Sequence, residues 1–216
     1  MKVAVFGASG GVGAHVVSMA AKAGHEVTAV SRSKIELPAG VRLVLGDVSR
    51  DEVVDAAVAG QDAVLSSLGI KRHNPKNPWS PLASPTDFSS STARSIVTAM
   101  KKHSVKRVIA VSAAGVRDSA PGLNWLMRFF VRYTNVGAAY RDLAVMEEVY
   151  AQSGLDFACV RPTGLKDGPD TGRVAIIEDF PFTAWISRAD VARWMVEHLD
   201  RDLSKLRFAT ITEARA

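Results

Sequence analysis

One seven-residue segment constrains this chain more than any other. Gly7-Ala8-Ser9-Gly10-Gly11-Val12-Gly13 follows the short apolar run Lys2–Phe6, and after it Val12, Val16, Met19, Ala20 and Ala23 recur at helical spacing. The spacing Gly7-x-x-Gly10-x-x-Gly13 gives each glycine a task. Gly7 lets the chain turn sharply off a strand, Gly10 removes a side chain where backbone must touch a pyrophosphate, and Gly13 lets a helix pack close to the sheet. The first turn of that helix, with Gly11 and Val12, offers free amides and a positive dipole end to an anion, and Ser9 adds a hydroxyl donor. Gly24 stands where such a helix stops.

The rest of the chain continues the alternation. Strand patterns are expected at His25–Val30, Val41–Leu45, Asp62–Leu68, Val105–Ser112, Phe157–Val160 and Leu206–Thr212. Helical patterns are expected at Asp51–Ala59, Thr86–Lys102, Ala138–Ser153 and Arg188–Leu199. Strands separated by helices of this length form βαβ units and a parallel sheet, and strands buried on both faces read as continuous apolar runs. Val3-Ala4-Val5-Phe6, Val108-Ile109-Ala110-Val111 and Phe157-Ala158-Cys159-Val160 fit that rule. The expected fold is α/β, a Rossmann-like doubly wound parallel sheet with its site along the strand C-termini. With 216 residues, 47% of them hydrophobic, no linker and no repeat, the chain is expected to form one domain over 1–216. Its variable substrate-side segments are 71–85 and 113–135. Lys71–Pro85 holds four prolines and no periodicity, as suits either a plain connection or a lid.

The end of the second strand tests which nucleotide the glycines serve. A carboxylate there would bind the ribose hydroxyls of NAD; the sequence instead reads Ser31-Arg32-Ser33-Lys34. Arg32 can grip a 2′-phosphate, helped by the Ser31 or Ser33 hydroxyl, so NADP(H) is expected over NAD(H). Two further strand ends lie along the same groove. Asp47 and Val48 are placed to meet adenine, unless Asp47 or Ser49 merely caps the next helix. Ser67, Leu68 and Gly69 form a small-residue loop that can pass close under a cofactor, or a simple turn.

These residues resemble the atypical short-chain dehydrogenase/reductase superfamily, within the NAD(P)H-binding group that includes flavin reductase (biliverdin reductase B) and NmrA-like proteins. The resemblance rests on Val5–Gly13, Gly46-Asp47-Val48, Gly60–Val64, Val111–Gly115, Val160–Leu165 and Ile186–Ala192, in family order over nearly the whole chain. It implies NADP(H) across the strand ends, with Ser112, Pro162, Thr163 and Leu165 bordering the nicotinamide. It also implies a structural role for Ser187, capping a helix, and for Asp190 in that helix's first turn. One departure stands out. Tyr133, Tyr140 and Tyr150 are followed four residues later by Gly137, Ala144 and Gly154, so the Tyr-x-x-x-Lys pair that moves a proton in typical members is missing. The histidine carried by the flavin reductase in the helix before Ser153 is not matched by Leu143–Glu148 either.

Other chemistry has little support. The five histidines show no metal-ligand spacing, so no metal is expected; His15 is expected to pack against the core and His73 to lie in a solvated loop. Cys159, the single cysteine, falls inside a strand and reads as an inert core thiol. Trp125, Phe129 and Tyr133 recur at i, i+4 and i+8 with Leu126 and Phe130 extending that face. This suits a helix packed on the domain, an aromatic cover over the nicotinamide, or a self-association face. The formal charge of +5 comes from scattered Lys and Arg, so no nucleic acid is expected. Met1–Gly7 is too short an apolar run for a signal-peptide core and no stretch could span a bilayer, so a cytoplasmic monomer or weak homodimer is expected. The expected function is an NADPH-dependent oxidoreductase passing hydride to a small conjugated acceptor such as a flavin or quinone, with Ser112 the candidate polar group near the reacting carbon. The alternative is a non-catalytic NADP(H) sensor that regulates a protein partner.

Overall fold

The computed structural model describes residues 1–181 and 183–214. Six strands open the parallel part of the sheet, which a further strand completes: β1 (Lys2–Phe6), β2 (Glu26–Ser31), β3 (Arg42–Leu45), β4 (Ala63–Ser66), β5 (Arg107–Val111) and β6 (Asp156–Pro162). Their spatial order is β3-β2-β1-β4-β5-β6, so the order reverses between β1 and β4. That reversal opens a crevice above the strand C-termini, where ligands of doubly wound sheets bind. The sheet then extends through β10 (Thr210–Glu213), parallel to β6, to β8 (Val174–Ile176), which runs antiparallel to β10. A separate parallel pair joins β7 (Gly164–Lys166) to β9 (Trp185–Ser187). The expected doubly wound architecture is present. The three-residue strands β7, β8 and β9 went unread because runs that short carry no period.

Both faces of the central strands are buried, and their side chains divide by parity. Val3 and Val5 of β1 join one core with α1 (Gly11–Lys22) and α6 (Arg188–Glu197). Ala4 and Phe6 join the other, with α2 (Asp51–Val58), α3 (Phe88–Lys102) and α5 (Val136–Ala151). The period of two therefore distributes one apolar run between two helical layers. Cys159 belongs to the second core and is fully buried; burial pushes its thiol well above the usual range, consistent with an inert group. His15 is exposed on α1, contrary to the expected packing role, because its neighbours Val12, Val16 and Val17 fill the helix face that meets the sheet.

Two helix starts are secured from a distance. The α3 N-terminus has no side-chain cap of its own. Instead the buried Asp142 carboxylate of α5 accepts from the Ser89 amide at 2.6 Å and the Ser90 amide at 3.0 Å, and so satisfies first-turn amides and the helix dipole together. At α6, Ser187 Oγ accepts from the Asp190 amide at 2.9 Å, the cap that the family resemblance implied. Asp190 in turn accepts from the amides of Thr171 and Gly172 and binds the segment before β8.

Segments 71–85 and 113–135 pack on each other. Residues 71–85 are more ordered than their prolines suggest: Arg72 bridges Leu82, and the His73 and Ala83 amides donate to Pro81 and Lys71 carbonyls. Asn135 closes the base of this loop by donating from Nδ2 to the Trp79 and Ser80 carbonyls. Helix α4 (Trp125–Tyr133) touches it through Phe130, edge-on to Trp79 at 6.0 Å. Trp125, Phe129 and Tyr133 face outward, so the aromatic spacing marks the exposed side of α4 rather than its packed side.

Candidate functional site

The expected turn between β1 and α1 is built by close approach. Gly7 adopts φ +84°, a left-handed conformation costly for other residues, and its carbonyl accepts from the Gly10 amide at 2.8 Å. A side chain at Gly13 would overlap that same carbonyl, so α1 can start this close to the strand only with glycine there. Ser67, at the end of β4, closes the turn from the other side. Its amide and hydroxyl both donate to the Phe6 carbonyl, at 3.0 and 3.3 Å. The amides of Gly11, Val12 and Gly13 have no carbonyl one turn back, and the α1 first turn carries no acidic residue to cap them. A cradle with this spacing and unpartnered amides fits the diphosphate of a dinucleotide.

A narrow groove leads away from this turn, lined by Gly7, Ser9, Gly10, Arg32, Val48, Ser67, Leu68 and Gly69. These are residues the sequence singled out at four successive strand ends. Val30, Lys71, Ser84 and Phe88 line it as well. The last three come from loop 71–85 and the start of α3, and no local motif marks them; the chain path alone carries them over the groove.

Around the adenosine end, Arg32 is exposed and forms no ion pair among the described residues. The Ser31 side chain is buried and accepts weakly from the Ser33 amide at 3.4 Å, whereas Ser33 itself is exposed. Asp47 does not cap α2, whose N-cap is Arg50. Its Oδ1 accepts from the Ser49 amide at 2.9 Å, and this bond lowers its pKa from the ordinary value. The second carboxylate oxygen stays available, beside the buried Val48.

The expected nicotinamide end lies one strand further on. Ser112 follows β5, and its amide donates to the Val160 carbonyl at 2.7 Å; the Ala114 amide donates to the Pro162 carbonyl at 3.0 Å. The strand ladder thus sets Ser112 opposite Arg161, between Val160 and Pro162. Thr163 is turned away toward β10, its amide on the Ile211 carbonyl and its hydroxyl on Thr212 Oγ1 at 3.2 Å. Leu165 sits in β7 opposite Ile186.

Under Ser112 lies a buried polar network that the sequence did not reveal. Ser112 Oγ donates to Glu147 Oε1 at 2.6 Å. Both Glu147 oxygens also accept from Arg161, at 2.8 Å from Nε and 2.7 Å from an Nη. Glu147 and Arg161 are 0% and 1% exposed. The guanidinium reaches Asp118 as well, at 2.7 Å, and stacks on the Phe208 ring. Tyr140 is tied nearby, its hydroxyl donating to the Ala114 carbonyl at 3.2 Å while burial pushes its pKa up to about 12. Residues 35 positions apart in sequence have no periodicity to link them, which is why Glu147 escaped notice.

Among the described residues, no helix is long and apolar enough to cross a membrane, and no cluster of three His, Cys, Asp or Glu side chains could hold a metal ion.

Comparison with known proteins agrees with this geometry. A family model described as NAD(P)H-binding matches residues 7–202. The chain is 29% identical over 226 residues to an uncharacterized chloroplastic protein of Arabidopsis thaliana, covering 100% of this chain and 77% of that one. It is 28% identical over 225 residues to a Bacillus subtilis protein named as the uncharacterized sugar epimerase YhfK, covering 99% of this chain and 94% of that one. Among solved structures, ChuY of Escherichia coli O157:H7, described as an anaerobillin reductase, superposes with a TM-score of 0.78 at 26% identity, covering 100% of this chain and 98% of that one. The chain belongs to the NAD(P)H-binding family, with a Rossmann-like sheet.

Proposed function

We propose that this protein is an NADPH-dependent reductase that delivers hydride to a small conjugated acceptor such as a flavin, quinone or related pigment. The observation that carries the reading is the continuity of one groove from the glycine turn to Arg32. The turn suits a diphosphate, and a guanidinium that forms no ion pair among the described residues suits a 2′-phosphate. Bound NADPH supplies the hydride.

The chain's own residues hold and shield. Gly7, Gly10 and the first-turn amides of α1 cradle the diphosphate, with Ser9 beside them. Arg32, Ser31 and Ser33 select the 2′-phosphate, and Asp47 and Val48 border the adenine. Leu68 and Gly69 run beneath the cofactor, and Ser112, Pro162 and Leu165 border its reactive ring, whereas Thr163 is held on β10 instead. Ser112 has one hydroxyl proton, and that proton is committed to Glu147. Its two lone pairs can only accept from a ligand, so Ser112 positions a donor group rather than protonating a product. With Tyr140 held on a backbone carbonyl and no lysine four residues on, proton delivery falls to water. That favours acceptors whose reduced form spreads its charge over a conjugated system. The similarity to ChuY supports the same class. We place the protein in the cytoplasm as a monomer or weak homodimer.

The committed Ser112 proton also favours a second reading, an NADP(H) sensor without turnover. Titration with NADPH and NADH, followed by absorbance at the nicotinamide band with FMN, quinone and bilin acceptors, decides between them. NADPH-selective binding with oxidation by at least one acceptor is the expected result. Tight binding without oxidation would favour the sensor, and no binding of either nucleotide would overturn both.

A further inference from the structure

We propose that Arg188 is a clamp for the cofactor diphosphate, and that Asp167 competes with the diphosphate for it; the inference rests on the dinucleotide reading above. Arg188 is the first residue of α6, fixed there by the Ser187 cap. Its aliphatic stem crosses the first residue of α1. A side chain at Gly11 would stand 2.6 Å from Arg188 Cδ and 2.9 Å from Nε. Gly11 is therefore small in order to admit Arg188, rather than to admit a ligand directly.

This contact sets a guanidinium against Gly11, at the positive end of the α1 dipole where the first-turn amides lack carbonyl partners. Two positive features side by side repel unless an anion joins them. In the structure the counter-charge is Asp167, 2.7 Å from an Arg188 Nη. Asp167 is 96% exposed, and ion pairs to so open a carboxylate are held weakly. A diphosphate can span the α1 amides and take the guanidinium in a charge-assisted, bidentate contact, which a single mobile carboxylate cannot match. The β7–β9 register, with Lys166 opposite Ser187, keeps Asp167 and Arg188 in reach of each other.

The test is calorimetric titration of wild type, Arg188→Ala, Arg188→Lys and Asp167→Asn with NADPH and with adenosine 2′-monophosphate, which has the 2′-phosphate but no diphosphate. Arg188→Ala should weaken NADPH roughly tenfold or more and leave adenosine 2′-monophosphate within about twofold, with Arg188→Lys in between. Asp167→Asn, at an exposed position that leaves the fold intact, should tighten NADPH about two- to fivefold. Unchanged NADPH affinity in Arg188→Ala, or equal weakening of both ligands, would overturn the clamp. Unchanged or weaker NADPH binding in Asp167→Asn would overturn the competition. Wild type that binds neither NADPH nor NADH would overturn the dinucleotide reading itself, and the clamp with it.

Discussion

Ser112 donates its hydroxyl proton to Glu147 at 2.6 Å, and Glu147 is a carboxylate that no solvent reaches. Arg161 faces both of its oxygens. A serine at a strand end beside the expected nicotinamide is thereby given a fixed rotamer and a fixed polarity. Breaking this arrangement should cost unequal amounts at its different members. Glu147→Ala leaves a buried guanidinium without its main partner and should destabilise by about 3–5 kcal/mol. Ser112→Ala removes one donor to a charged acceptor and should cost about 1–3 kcal/mol. Urea unfolding midpoints measure both; equal effects would mean that Ser112 and Glu147 act only as a unit.

The outer end of the same network should respond to acid. Hydrogen bonding from Arg161 holds the Asp118 carboxyl below its ordinary value of 3.8. A depressed folded pKa stabilises above the unfolded value and loses that contribution as pH falls through the folded one. Asp118→Asn should therefore cost a little stability at neutral pH, about 0–1 kcal/mol given that Asp118 is 75% exposed. The difference from wild type should shrink once the pH falls below 3.8. Thermal melts of both proteins across acid pH check this.

Asp142 offers a test of helix capping across the fold. Asp142→Ala strips two amides at the start of α3 of their acceptor and should cost about 0.5–2 kcal/mol. Asp142→Asn keeps one acceptor and should recover part of the loss. Hydrogen exchange at the Ser89 and Ser90 amides should quicken in Asp142→Ala; unchanged exchange would show that the cap contributes nothing.

Gly13→Ala inserts a methyl group against the Gly7 carbonyl. Overpacking of this kind costs about 1–3 kcal/mol and forces α1 away from the turn. Thermal unfolding should shift downward and NADPH affinity should fall together with it, since one displacement causes both.

Arg32→Ala addresses the choice of nucleotide. Loss of a charge-assisted contact to the 2′-phosphate should weaken NADPH roughly ten- to a hundredfold while NADH changes little. Fluorescence titration of both nucleotides measures the ratio; an unchanged ratio would assign the preference elsewhere.

How far the molecule is legible without coordinates depends on the range of the interactions. The turn after β1, the alternation of apolar strands with helices and the stop at Gly24 follow from local rules of sterics and periodicity, and residues 7–13 carry the turn in full. Arg32 is legible for the same reason, since its place is fixed by the strand that ends beside it. Residues 71–85 and α4 were located but not understood. Proline content and aromatic spacing do not say that Asn135 ties the two together, or that Trp125, Phe129 and Tyr133 face solvent.

By itself the sequence determined the doubly wound fold, the glycine turn and the line of strand ends on which a dinucleotide can lie. Only the tertiary structure decided what stands behind and across that line: Glu147 and Arg161 under Ser112, Asp142 on α3, and Arg188 over Gly11. The reason is physical. Backbone conformation and hydrophobic period are set by neighbours a few residues apart, whereas a buried charge takes its partner from whatever chain the packing of the layers brings within hydrogen-bonding distance.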